Sequence, residues 1–297
     1  MRLEVLKDIY TFKPNYFDLD GLKYHYIDQG SGEPMLMLHG NPTWSIYYRK
    51  LVEAFSSEYR CIVPDHIGCG FSDKPSPENY EYTFFQRVLD LEKLVESLDL
   101  KNITLVVHDW GGIIGTIFAE RNPERIKRMV IFNTAGFLIP KAKKLPLPLW
   151  LCRDTKLGAF LVKNFNAFSF IASHVACTDK KMSRKIRHAF RAPYDTPENR
   201  IATLKFVQDI PLSSKDKGYD ILEKTTNNLS KLKHIPKLIC WGNQDFVFDH
   251  HFLNEWVKHF PDAEVKVFHK AGHYVLEEEP EQIIKFMNEF FDKNKLG

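Results

Sequence analysis

Cysteine is scarce and scattered in this chain. The five thiols, Cys61, Cys69, Cys152, Cys177 and Cys240, are odd in number and form no CxxC pair, which argues against a disulfide framework and a cysteine-based zinc site. Cys61 and Cys240 lie in strand-like runs and read as buried apolar residues. A membrane span is missing as well: the uncharged run 164–178 has 15 residues and contains Asn, Ser and His, so it is too short and too polar to cross a bilayer. Residues 1–8 carry scattered charges and lack the apolar centre of a signal peptide. The net charge is only +3, and there is no zinc-finger or RNA-binding signature, so no nucleic-acid partner is expected. No internal repeat or low-complexity tract is present. These absences leave a cytoplasmic protein without a transmembrane segment as the expectation.

What the chain does have is apolar residue for a substantial core. Hydrophobic residues make up 44% of 297, which fits one large domain or one domain carrying an insertion. The 23 Phe suit a pocket for an apolar ligand and equally an ordinary large core. Apolar runs predict strands at 22–28, 35–38, 61–64, 103–107, 129–132, 237–241 and 264–268. Helical spacing covers 44–55, 84–98, 113–121, 250–260 and 280–291. This alternation predicts an α/β protein with a mostly parallel central sheet and helices on both faces.

The alternation lapses over 137–212. Pro140, Pro146 and Pro148 interrupt the chain, and short helices are expected at 157–164, 181–190 and 197–207. We read this stretch as an inserted helical cap between two core segments, 1–136 and 213–297. It holds 14 Lys/Arg against 5 Asp/Glu, a net +9 that leaves −6 on the remainder. The plain reading of a basic cap is a solvated face; the sharper readings are docking to an acidic partner or to an anionic membrane surface. The lack of a continuous Lys/Arg block favours the plain one.

The functional reading centres on Leu105-Val106-Val107-His108-Asp109-Trp110-Gly111-Gly112. An apolar strand, an acid, two glycines and a helix make the setting of a nucleophile elbow, where a reactive side chain sits on a sharp turn at the sheet edge. A carboxylate at that tip is ionised at neutral pH, so Asp109 can attack an electrophilic carbon directly and form an ester or anhydride. Alone, the acid also fits an ordinary helix N-terminus. Three further turns narrow the choice: His39-Gly40-Asn41-Pro42, Gly242-Asn243-Gln244-Asp245 and Ala271-Gly272-His273 each follow an apolar strand, where an open α/β sheet gathers its site. The chain order acid, acid, His is that of α/β-hydrolases.

His273 is the candidate base that activates water against an Asp109 ester. Asp245 is the candidate carboxylate that orients it, with Asp249 as competitor, although Asp249 reads as the N-cap of the next helix. After strand 129–132 the turn Asn133-Thr134-Ala135-Gly136 offers no acid. The backbone N–H groups of Asn41 and Trp110 are candidates for an oxyanion hole. Their side chains add an amide and an indole N–H, neutral donors suited to a leaving halide or a developing carboxylate. His39 reads as ordering its own tight turn. The loop Asp65-His66-Ile67-Gly68-Cys69-Gly70 fits no metal or dinucleotide pattern and reads as structural. No metal site is expected.

Taken together, His-Gly-Asn-Pro-Thr-Trp at 39–44, Val-His-Asp-Trp-Gly-Gly at 107–112, Trp-Gly-Asn-Gln-Asp at 241–245 and Ala-Gly-His at 271–273 resemble the haloalkane dehalogenase-like α/β-hydrolases over essentially the whole chain. Val107 stands where serine enzymes of the fold carry a small residue, which this group tolerates. Further segments look more like the β-lactone decarboxylases of long-chain olefin biosynthesis. These are 45–49, 64–70, 192–195 and 206–211. The resemblance implies cleavage of cis-3,4-dialkyl β-lactones to a cis-alkene and carbon dioxide without a cofactor, acting on a small apolar substrate and with other olefin-pathway enzymes as candidate partners. The alternative is haloalkane dehalogenation through an alkyl-aspartate ester, using the same residues. Epoxide hydrolysis ranks lower, because it typically needs two cap tyrosines and 137–212 contains only Tyr194. A binding module on the hydrolase fold would be favoured by a broken triad, and here every position is filled.

Overall fold

The computed structural model describes residues 6–295; residues 1–5, which belong to the segment read for a signal peptide, and 296–297 lie outside the described residues. Eight strands form one sheet: β1 (Asn15–Leu19), β2 (Leu22–Gln29), β3 (Glu33–Leu38), β4 (Tyr59–Pro64), β5 (Ile103–Asp109), β6 (Ile126–Thr134), β7 (Lys237–Gly242) and β8 (Glu264–Phe268). Their order is β1-β2-β4-β3-β5-β6-β7-β8. The β1–β2 and β2–β4 pairs are antiparallel and every later pair is parallel.

Successive side chains on a strand point to opposite faces, and here both faces are apolar. Leu36, Leu38, Leu105 and Val107 pack on one side with α2 (Phe84–Ser97), α3 (Trp110–Arg121) and α10 (His250–His259). Met35, Met37, Val106 and Phe132 pack on the other with α1 (Arg49–Phe55) and α12 (Pro280–Lys293). Covering on both faces explains why the central strands read as continuous apolar runs. Helix α3 is buried on nearly every side, as its apolar sequence requires.

Some elements depart from the sequence expectation. Strand β1 was not anticipated, although Asp20-Gly21 carries the signal: both have positive φ (53° and 89°), and Leu19 pairs with Leu22 across a two-residue hairpin turn. Helix α3 begins at Trp110 and not at Ile113, since the glycines belong to its first turn. The expected helix 44–55 opens with a 3-10 turn, Ser45–Tyr48, before α1. Six α-helices lie between β6 and the 3-10 turn 229–232: α4 (Leu147–Asp154), α5 (Lys156–Phe165), α6 (Ala167–Val175), α7 (Arg184–Arg191), α8 (Ile201–Gln208) and α9 (Tyr219–Asn228). Helix α4 forms despite its prolines because Pro146 precedes it and Pro148 falls in its first turn, where no N–H is needed.

This helical layer is held down at defined points. The Asn41 amide donates to the Thr203 carbonyl of α8 (3.0 Å), and the Tyr194 hydroxyl to the Thr43 carbonyl (3.1 Å). Within the layer, the Arg200 guanidinium donates to four carbonyls, those of Tyr194, Asp195, Lys163 and Asn164, at 2.8–3.0 Å. The layer therefore lies across the β3 turn. Among the described residues no helix is long and apolar enough to cross a membrane.

Candidate active site

Strand β5 is buried along its length and runs straight into α3, so Asp109 is at once the last strand residue and the helix N-cap, with φ 50° and ψ −127°. A non-glycine residue keeps such a backbone only where its surroundings enforce it. The Thr134 hydroxyl donates to the Asp109 carbonyl. A Cβ on Gly111 would sit 1.9 Å from the Leu38 carbonyl oxygen, and one on Gly40 would sit 2.4 Å from the Asp109 side chain. Glycine at these two positions is what lets the β3 turn and α3 close around the carboxylate.

Asp109 Oδ2 accepts the Asn41 N–H at 2.7 Å. Burial pushes the Asp109 carboxyl up to about 6, against the His273 charge and the Asn41 and Trp110 N–H groups, which favour the carboxylate. His273 approaches from the β8 side: its Nε2 stands 4.0 Å from Asp109 Oδ2, and its Nδ1 is 2.7 Å from Asp245 Oδ2. Burial works against the imidazolium, but the Asp245 charge and hydrogen bond, with the Asp109 charge, outweigh it and raise the His273 pKa. Asp245 is itself oriented, since its Oδ1 accepts the N–H groups of Val247 (2.7 Å) and Phe248 (3.1 Å). The structure thus brings Asp109, His273 and Asp245 into one line, with an imidazole between two carboxylates.

Asp249 lies elsewhere. It caps α10 by accepting the His251 N–H at 3.0 Å, and it pairs with Lys143 at 2.8 Å. With His250 and His251 it places three ligand-type atoms within 4.8 Å of one another, but capping and the lysine already account for the acid. His39 is buried in its turn, with Nδ1 2.8 Å from the Gly40 carbonyl and Nε2 accepting the His66 N–H at 3.1 Å. Asp65 accepts from Ser45 N–H, Phe71 N–H and His25 Nδ1 at 2.6–2.9 Å, a carboxylate committed to holding loops together.

Asn41 and Trp110 both border the cavity above Asp109. The Asn41 backbone N–H is engaged by Asp109 and one amide N–H by Thr203, so a single amide N–H remains for a ligand, where two were expected. Trp110 is steadied by Phe206, with ring centroids 5.3 Å apart.

Sequence reasoning passed over three supporting residues. His108 stacks on Tyr47 (4.4 Å), and its Nε2–H donates to the His273 carbonyl at 2.8 Å. Burial first, then the His273 charge, drives its pKa well below the ordinary histidine value, so His108 is neutral. Phe248 stacks parallel to the His273 ring at 5.8 Å. Glu278, on α11 (Val275–Glu278), accepts Gly272 N–H at 2.7 Å and Thr178 N–H at 2.9 Å, tying the loop before His273 to the helical layer. His108 alone had a legible signal, as the strand residue preceding the elbow.

A cavity of about 510 Å³ rises from Asp109, Trp110 and His273 into the helical layer, with Phe168, Val207 and Leu222 among its largely apolar walls. That is within the ordinary range for small-molecule sites. Tyr194 does not border it, and its hydroxyl is directed to Thr43.

Known proteins resemble this chain along nearly its whole length. Residues 33–280 match the family described as alpha/beta hydrolase fold. The chain is 51% identical to a protein of Shewanella oneidensis named cis-3-alkyl-4-alkyloxetan-2-one decarboxylase, over 98% of this chain and 92% of that protein. It is 43% identical to a protein of the same name from Xanthomonas campestris pv. campestris, over 97% and 98%. The crystal structure of a haloalkane dehalogenase from Agrobacterium tumefaciens C58 superposes with a TM-score of 0.85 at 25% identity, covering 95% of this chain and 96% of that one. The family match over 33–280, the near-full-length superposition on the dehalogenase and two near-full-length decarboxylase relatives place the chain in the alpha/beta hydrolase family, among its haloalkane dehalogenase-like enzymes.

Proposed function

We propose that the protein cleaves cis-3,4-dialkyl β-lactones to a cis-alkene and carbon dioxide, with Asp109 as nucleophile and His273 and Asp245 as its partners. The relatives named as oxetanone decarboxylases support the substrate. The observation that carries the chemistry is the 2.7 Å hydrogen bond from Asn41 N–H to Asp109 Oδ2. In acyl transfer that donor would have to stabilise an oxyanion on the substrate. Here it holds Oδ2 of the proposed nucleophile, so that donor is not open to a substrate oxyanion, an arrangement that favours displacement at a saturated carbon.

On this reading Asp109 Oδ1 attacks C4 of the lactone, the Oδ1–C4 bond forms, and the strained C4–O1 bond breaks to give a carboxylate. The C2–C3 bond then breaks, its electron pair becomes the C3=C4 double bond, and the Oδ1–C4 bond returns its pair to Asp109. Carbon dioxide and alkene leave, with no water or proton consumed. Inversion at C4 followed by anti elimination conserves the cis relation of the alkyl groups. The Trp110 indole N–H and the remaining Asn41 amide N–H face the released carboxylate. His273, held by Asp245, balances the charge beside Asp109 and keeps the carboxylate aimed. The cavity receives the alkyl chains.

Haloalkane dehalogenation is the second reading, favoured by the same displacement geometry and by the dehalogenase fold match. There the ester must be hydrolysed, and His273 becomes the base that activates water. Purified protein incubated separately with a cis-dialkyl β-lactone and a bromoalkane decides between them. Stoichiometric alkene from the lactone is the expected result; bromide release without alkene would replace it with the dehalogenase reading.

A further inference from the structure

Large hydrophobic side chains are unevenly exposed over the surface. Of the thirteen that stand open to solvent among the described residues, eight fall within 147–175, on α4, α5, α6 and their junctions. Each helix is apolar on two sides. Leu149 and Leu151 of α4 turn to the cavity while Leu147 and Trp150 face out; Leu161 of α5 turns in while Leu157 and Phe160 face out. A helix that is apolar all round calls for cover on both sides. Trp150 is 44% exposed, whereas the other four tryptophans are buried.

Charge identifies the cover. Residues 141–178 hold six Lys/Arg against one acid; Lys144 and Lys156 are exposed with no ion-pair partner among the described residues, and Lys163 is exposed with only the longer-range charges of Glu78 and Glu198 near it. An apolar face with an interfacial tryptophan and exposed lysines is the composition of a surface that lies on an anionic bilayer. The cavity supplies the second argument. Ile171, Val175 and Phe246 are exposed and also border the cavity, so its mouth opens within this face. A protein partner seated there would plug the mouth, whereas a fluid lipid layer leaves an apolar path from bilayer to cavity.

We propose that the outer face of α4–α6 docks on the surface of an anionic lipid bilayer and that the cavity opens into the acyl layer. The docking concerns where substrate comes from and does not depend on which bond Asp109 breaks.

The test is flotation of the full chain with vesicles of phosphatidylcholine alone or mixed equally with phosphatidylglycerol. The wild type is expected to float with the mixed vesicles at low salt, on the order of tenfold more than with phosphatidylcholine alone, and to release as salt rises. Trp150 emission shifts to the blue on binding. The triple variant Leu157→Ser, Phe160→Ser, Phe165→Ser, none of which borders the cavity, loses about tenfold or more of the partition. Its unchanged circular dichroism and melting show that it is folded. The double variant Lys156→Glu, Lys163→Glu loses the preference for phosphatidylglycerol. Failure of the wild type to float with mixed vesicles overturns the proposal, as does a folded triple variant that floats like the wild type. A native mass that doubles with concentration through these three apolar residues, without vesicle binding, reassigns the face to self-association.

Discussion

The two layers around the cavity use apolar residues in opposite ways. In the sheet layer, strand β5 and helix α3 bury nearly every side chain, and the polar groups of the candidate site, Asp109, His273 and Asp245, each have a defined partner. In the helical layer, α4 to α6 leave Phe160, Phe165 and Phe170 half or more exposed, and internal ties come from guanidinium groups, Arg200 gripping four carbonyls and Arg153 joining Ile210 and Asp216. The first arrangement is rigid enough to hold an aspartate at φ 50°. The second is adapted to admitting something apolar. The contrast teaches that chemistry and access are divided between the layers, and it can be broken at either one.

The largest effect is expected at the sheet layer. Asp109→Ala removes the proposed attacking oxygen and should lower turnover on the order of 10⁴-fold or more, as loss of a covalent nucleophile does. Far-UV circular dichroism should stay unchanged. Appreciable activity in the folded variant would take Asp109 out of its role.

His273→Ala separates the reactions that share this machinery. With a bromoalkane the variant should release about one bromide per site and stop, since halide leaves without protonation but the ester waits for activated water. Mass spectrometry of the Asp109 peptide should then show an alkyl adduct. With a β-lactone, slower but repeated alkene release is expected, because the proposed route needs no water. A lactone reaction that stops after one equivalent of adduct would sink the water-free route.

The pH profile tests the burial of the nucleophile. On the proposed reading Asp109 attacks only when ionised, and burial has pushed its carboxyl up to about 6. Activity at low substrate should therefore fall about tenfold per pH unit below that value. An acid limb displaced to the ordinary carboxylate range, about 4, would mean that Asp109 is better solvated than the closed site implies.

The smallest effect belongs to the helical layer. Arg200→Ala leaves four carbonyls short of a donor, and we expect a loss of about 1–3 kcal/mol of stability. Limited proteolysis should cut first within 156–200, and Asp109 chemistry on a small substrate should survive. Equal loss of activity toward small and long-chain substrates would show that the two layers are not separable in this way.

The legibility of the chain follows the same division. The elbow could be read because strand, turn and helix are contiguous: apolar run, acid and glycines are local properties, and the turns bearing Asn41, Asp245 and His273 each announce themselves at a strand end. The preference for Asp245 over Asp249 followed from recognising a helix cap, again a local pattern. The Asp20-Gly21 hairpin was equally local and went unread because β1 is short and half polar. In the helical layer, α4, α6 and α9 escaped notice: Pro146 and Pro148 read as breaks where α4 begins, the apolar residues of α6 do not sort onto one side, and α9 carries few apolar residues.

By itself, then, the amino-acid sequence determined the parallel sheet, the acid at the elbow and the order of the site residues, since each depends on neighbours within a few positions. Only the tertiary structure decided that Asn41 spends its backbone N–H on Asp109 and an amide N–H on Thr203, that His108 props the backbone of His273, and that apolar residues of α4–α6 end up on the outside. Those outcomes join residues up to 165 positions apart. They depend on which faces meet when sheet and helices pack, and no local spacing carries that information.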